Sequence, residues 1–136
     1  MNDWHLHPQL ADDTHPLSSL ELCELRLMDD GNYPWLVLVP RVMDAVELVD
    51  LDAGQRHRLT DEIDAASKAL RTVFRPHKLN VAALGNLVPQ LHVHVIARFE
   101  DDPAWPAPVW GRVAARPYGP EALVGRITAL QEALRG

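Results

Sequence analysis

The chain is poor in several things, and each shortage narrows what it can be. It holds one cysteine, Cys23, which excludes an internal disulfide and a multi-cysteine zinc site. That residue sits within an apolar alternation and reads as a small core side chain. No apolar stretch reaches the length needed to cross a bilayer, and the start of the chain has no basic segment followed by an apolar run. A soluble protein in a reducing, cytoplasmic setting is therefore expected, with no membrane partner. Cations are scarce as well: 13 Lys and Arg against 19 Asp and Glu give a formal charge of -6. A nucleic-acid scaffold would normally display a basic stripe, so nucleic acid is not an expected partner. Eleven of the cations are arginines, which can still clamp a small phosphate locally. There is no internal repeat, no low-complexity tract and no linker. With 136 residues, 47% of them apolar, one domain over residues 1–136 with a real core is expected rather than a disordered tail.

Along the chain the hydrophobic period changes in a readable order. Residues 1–19 are mixed and polar and predict loop or short helix over the core. From Leu20 to Met28, Cys23, Leu25 and Leu27 alternate with Glu24 and Arg26, as in a half-buried strand. Asp29-Asp30-Gly31-Asn32 supplies a turn, and Trp35 to Val39 is a continuous apolar strand stopped by Pro40, so the pair predicts a hairpin. Gln55 to Arg75 carries a helical stripe through Leu59, Ile63, Ala66, Leu70 and Val73, ended by Pro76. Leu79 to Leu84 and Leu91 to Phe99 predict two more strands around a turn at Gly85 to Pro89. Residues 100–120 hold five of the eleven prolines and predict no regular element; Glu121 to Leu134 is a closing helix. The order predicts an α+β domain, an antiparallel sheet with helices on one face.

The chemistry concentrates in Gln90-Leu91-His92-Val93-His94-Val95-Ile96. On a strand, Gln90, His92 and His94 share one face, with Leu91, Val93 and Val95 on the other. Imidazole is the side chain best placed to exchange protons or attack near neutral pH, so an enzyme site is the first reading. Three others stand beside it: polar residues on a solvated face, a His-x-His metal pair, or histidines at an interface. A metal pair wants a third ligand, and neither His57 nor His77 lies at a recognisable spacing. Gly85 before the strand permits close approach of a ligand, and Asn80 and Asn86 add neutral amides that can hold anionic oxygens. His5 and His7 repeat the spacing without an apolar strand around them and predict a loosely ordered surface segment. Arg98 follows the strand and could approach a phosphate, but reads first as a solvent-facing salt bridge, and Trp105 as core or subunit contact.

The run from Gly85 to Ile96 resembles the signature of the histidine triad (HIT) family, His-φ-His-φ-His-φ-φ with φ apolar. Asp29-Asp30 looks like that family's ribose-binding acidic position, Trp35 to Pro40 like its apolar strand ending in proline, and Trp105-Pro106 like the Trp-Pro that follows the triad in several members. The likeness spans roughly residues 20–110, and Trp4 to Leu10 with Tyr33-Pro34-Trp35 looks like a bacterial branch. Gln90 stands at the first triad position and Trp35 where many members carry a further histidine. The resemblance implies a HIT-like antiparallel sheet with a long helix and a C-terminal helix at about 120–135. It implies a nucleotide hydrolase or nucleotidyl transferase acting at the α-phosphate of a dinucleoside polyphosphate or phosphoramidate, with His92 as nucleophile and His94 as the phosphate contact. Gln90, Asn86, Asn80 and Asp30 would bind substrate, a purine nucleotide or dinucleotide, in a homodimer with no metal or other cofactor. A nucleotide-binding module without turnover is the competing class, and a His-x-His metalloprotein a third.

Overall fold

A computed structural model describes residues 3–136; residues 1 and 2, part of the span read as one domain, lie outside the described residues. Pro8–Asp13 forms a short helix α1, with Pro8 in its first turn and the His7 ring accepting the backbone N–H of Gln9 as its cap. Five strands follow: β1 (Thr14–Ser19), β2 (Cys23–Met28), β3 (Trp35–Pro40), β4 (Lys78–Ala82) and β5 (Val93–Arg98). They form one antiparallel sheet in the order β1-β2-β3-β5-β4. The β2–β3 hairpin carries the Asp29 to Asn32 turn, while β3 and β5 meet through a long crossover.

That crossover contains the long helix α2 (Ala53–Phe74). Asp52 and Gln55 close a reciprocal capping box at its start, and Arg75 ends it in the left-handed region at φ 50° just before Pro76. The last helix, α3 (Pro120–Arg135), packs beside it. Both cover one face of the sheet, over Leu25, Leu27, Leu36, Leu38, Val93 and Val95. Glu62 of α2 is buried because its carboxylate accepts the backbone N–H groups of Leu22 and Cys23 at 2.8 and 2.9 Å, tying the helix to the start of β2. Burial, with that carboxylate alongside, pushes the Cys23 thiol far up, so it is an inert core group.

The opposite face is covered differently. Leu10, Tyr33, Trp35, Val37, Val39, Ile96, Ala104 and Val109 cluster there under the N-terminal segment and the proline-rich stretch. The fold is the expected α+β arrangement. One element differs from the sequence reading: residues 14–19 are an edge strand, not loop. Pro16 hides it from a strand pattern, yet an edge strand at a register shift between Pro16 and Ser18 tolerates proline.

Candidate active site

Alternation along β5 settles which side chains face which layer. Val93, Val95 and Ala97 pack with the helices, and His94, Ile96 and Arg98 lie on the other face, with His92 just before the strand. His92 and His94 are both buried, their ring centroids 4.9 Å apart and their planes at 74°.

Each ring has one nitrogen committed, and the two commitments are opposite. Nδ1 of His92 lies 2.7 Å from the backbone carbonyl of Gln90. A carbonyl only accepts, so Nδ1 carries a proton, and in the neutral ring the lone pair is then on Nε2. Nδ1 of His94 lies 3.0 Å from Trp35 Nε1. The indole N–H only donates, so here the lone pair is on Nδ1 and the proton on Nε2. Burial, and then the neighbouring His92, drive the His94 pKa down to about 4, so it is neutral at physiological pH. One face of the sheet thus offers a bare imidazole nitrogen beside an imidazole N–H.

Both histidines line a cavity of about 570 Å³. Its walls come from Leu10 and Asp13 of α1, Met28 and Trp35 of the hairpin, the 84–88 loop with Gly85 and Asn86, and Trp110. Gly85 is at φ +69°, a conformation that suits glycine and turns the loop over the cavity. Trp35, His94 and Trp110 meet edge to face at 5.1 to 5.7 Å. A second depression of about 320 Å³, walled by Val46, Leu48, Val49 and Leu84, also reaches His92. Another, of about 520 Å³, lies against α3 between Phe74, Tyr118 and Arg126, where Arg126 is spent on the Tyr118 hydroxyl and both rings.

Of the residues singled out by sequence, the fold brings His92, His94 and Asn86 to the cavity and sends the others elsewhere. Gln90 does not face it. Its Oε1 accepts the backbone N–H of His7 at 2.8 Å and its Nε2 donates to the carbonyl of His5 at 3.0 Å, bracketing the N-terminal segment. That segment is therefore held in place, not loosely ordered. Asn80 Oδ1 accepts from the Arg98 guanidinium at 2.8 Å. Asp30 accepts from the backbone N–H groups of Asn32 and Arg116, a turn contact and a tether, and lies in a neighbouring acidic depression of about 390 Å³ with Asp12, Asp13 and Asp29. Arg98 is the clearest correction: it is 1% exposed, not at the solvent. Among the described residues no three His, Cys, Asp or Glu side chains are grouped to hold a metal ion.

Gln90→Ala is expected to free the N-terminal segment, cost about 1–3 kcal/mol, and make the first ten residues protease-sensitive. Gln90→His is expected to lose the same bracket without raising turnover, because position 90 points away from the cavity. Limited proteolysis and thermal denaturation read the first effect; a large gain in turnover by the histidine variant contradicts the second.

Sequence reading did not place Trp35, Leu10, Met28 and Trp110 on the cavity wall. A usable signal existed for Trp35: a buried indole N–H needs an acceptor, and its register partner on β5 is Ile96, two residues from His94.

Comparison with known proteins agrees with the fold. The family model for the HIT domain matches residues 11–101. A histidine triad protein from Bradyrhizobium japonicum is 47% identical, with a TM-score of 0.94, covering 96% of this chain and 98% of that one. One from Sinorhizobium meliloti is 41% identical at a TM-score of 0.95, covering 98% of each chain. One from Marinobacter aquaeolei is 45% identical at 0.94, covering 97% of this chain and 96% of that one. No functionally curated protein matches the chain.

Proposed function

We propose that this chain, which belongs to the HIT domain family, is a nucleotide hydrolase or nucleotidyl transferase that works through a covalent nucleotidyl–His92 intermediate. Members of that family generally act on nucleotides, and the coarse function follows from membership. The observation that carries the finer reading is the pair of opposite tautomers on one cavity wall.

Nε2 of His92 attacks the α-phosphorus of a nucleoside phosphate derivative in line. An N–P bond forms, the bond to the leaving group breaks, and the electron pair departs with that group. Water then attacks the same phosphorus, the N–P pair returns to Nε2, and the nucleotide is released. One hard displacement becomes two easier ones. The Gln90 carbonyl keeps its proton partner throughout and stabilises the ring as it gains positive character. His94 donates Nε2–H toward the phosphoryl oxygens, and Asn86 supplies a neutral amide, where stabilisation of phosphoryl charge is most valuable. Leu10, Met28 and Trp110 give an apolar surface suited to a purine base.

The test is capture of the intermediate. The protein is mixed with a nucleotide derivative, quenched in alkali where a P–N bond survives, and weighed intact. One added nucleotidyl group on His92 is expected; unmodified protein during steady turnover contradicts the reading. Gln90 turned to the N-terminal segment favours a second reading, a nucleotide-binding module with little turnover. It requires binding without any adduct. Cytoplasmic location is part of the proposal, and cell fractionation tests it: recovery of the protein outside the cytoplasmic fraction would contradict it.

A homodimer belongs to the same proposal. β4 is a sheet edge with Val81 half-exposed, and Leu84, Leu48 and Val49 continue an apolar patch beside it. Light scattering is expected to give twice the chain mass, and a single-chain mass rejects the dimer.

A further inference from the structure

His94 has a hydrogen-bond partner that cannot reverse its role. A partner histidine could donate or accept as protons move, but the Trp35 indole only donates. Protonating His94 would set an Nδ1–H against the indole N–H at 3.0 Å, losing that bond where both residues are at most 6% exposed. We infer that Trp35 is a positioning residue that keeps His94 a neutral Nε2–H donor. The cavity then gives a departing group a hydrogen bond but no proton, and its substrates are nucleotides activated by a weakly basic, oxygen-linked leaving group. The leaving-group rule builds on the nucleotidyl-transfer reading above; the tautomer does not.

Among the described residues no charged group contacts His94. Its register partners are Val37 on β3 and Ala82 on β4, and Trp35 and Trp110 border its ring. His92 is the titratable neighbour on its own segment. Asp13 of α1 lines the same cavity, but its carboxylate is engaged by the Gln9 side chain, and no carboxylate among the described residues lies within ion-pair distance of His94. Nε2 of His94 has no protein partner among the described residues, so its N–H is free to donate.

Consequences for the chemistry follow atom by atom. A neutral imidazole N–H is too weak an acid to surrender its proton to a leaving group. His92 uses its free nitrogen as nucleophile, and Gln90 neither titrates nor faces the cavity. When the N–P bond forms, the P–O bond must therefore break with its pair left on oxygen. A phosphate, a polyphosphate or a carboxylate carries that pair as a stable anion. An alkylamine in a phosphoramidate cannot leave without first gaining a proton. In the second step water attacks, the pair returns to His92 Nε2, and the proton of water passes to solvent.

The experiment has two arms. In nucleotide-free, nitrogen-15-labelled protein, His94 is expected to stay the Nε2–H tautomer from about pH 5 to 8, with scalar coupling between Trp35 Nε1 and His94 Nδ1. Trp35→Phe is expected to abolish the coupling and mix the tautomers. Wild-type protein without the coupling, or with His94 titrating in that range, overturns the assignment even where the phenylalanine variant does not fold. In the second arm, adenylate esters of graded phenols are compared with an adenylate alkylamide. The alkylamide is expected to react on the order of 10²–10⁴-fold more slowly than the most acidic phenol ester, the scale of an absent general acid. Trp35→His, which can accept a proton from His94, is expected to narrow that gap at least about tenfold. Equal wild-type rates for amide and ester overturn the leaving-group rule. If no derivative labels His92, the nucleotidyl-transfer reading falls and the leaving-group rule with it, while the coupling still decides the role of Trp35.

Discussion

His92→Ala is expected to lower nucleotide turnover by roughly 10⁴-fold or more, the scale seen when a covalent nucleophile leaves a preorganised site. The reason is geometric. With its Nδ1–H held by the Gln90 carbonyl at 2.7 Å, the neutral His92 ring has its lone pair on Nε2. Among the described residues no other bare imidazole nitrogen lines that cavity, since the free lone pair of His94 is taken by Trp35. Direct attack by water would have to cross the barrier that the two-step route divides. Nucleotide affinity should change little, because Asn86, His94 and the apolar walls remain. The fold should lose only about 1–2 kcal/mol, for one hydrogen bond and a modest cavity. His92→Gly with free imidazole should recover part of the rate, which a merely structural histidine would not show. Equal turnover by wild type and His92→Ala would end the covalent proposal.

Much of this arrangement was legible because it obeys short-range rules. Period-two alternation placed His92 and His94 on one face, and helical spacing from Leu59 to Val73 with Pro76 beyond it marked α2 to within two residues. Several of the failures share a cause, a partner distant in sequence, although Arg98 finds its carboxylate only four residues on, at Asp102. Gln90 was read onto the histidine face, yet β5 begins only at Val93, so strand alternation does not extend back to residue 90. Its amide instead meets backbone groups 83 and 85 residues away. Asp30 is claimed by Arg116, 86 residues on. Asn80 and Arg98 find each other across the β4–β5 pair, and a charge that local rules assign to solvent is buried by a proline-rich loop with no period of its own. Trp35 reads as a departure from the histidine pattern, but its hydrogen bond to His94 depends on the β3–β5 register, which no single strand reveals.

The same buried arginine sets the largest expected effect on stability. Arg98→Ala should destabilise the protein by about 3–5 kcal/mol, the cost of leaving a buried partner uncompensated. Its guanidinium meets both Asp102 carboxylate oxygens at 2.8 and 3.0 Å, donates to Asn80 Oδ1 and the Ala107 carbonyl at 2.8 Å, and lies 5.8 and 5.6 Å from the Tyr33 and Trp105 rings. Burial alone would raise the Asp102 carboxyl. Arg98 and the backbone N–H groups of Phe99, Trp105 and Ala104 outweigh it and hold the pKa at about 2. An unfolded aspartate titrates near 3.9, so below that value the unfolded chain binds a proton that the folded one refuses. This contribution is thus present above about pH 4 and lost as pH falls toward 2, worth roughly 2–3 kcal/mol. Urea denaturation of wild type and Arg98→Ala at pH 7 reads the first number, and the series continued from pH 4 to 2 reads the second; Arg98→Ala should flatten the acid loss along with the total. Arg98→Lys should recover little, because an ammonium cannot span both carboxylate oxygens and Asn80 together. Replacing the pair by apolar residues, Arg98→Met with Asp102→Leu, should cost less than either partner alone, since no unpaired charge remains. Because the pair anchors the 99–107 loop that leads to Trp110, single variants should also weaken nucleotide binding although neither residue lines the cavity. A double change as costly as the sum of its parts would show that the two side chains act independently, contrary to the bidentate contact between them.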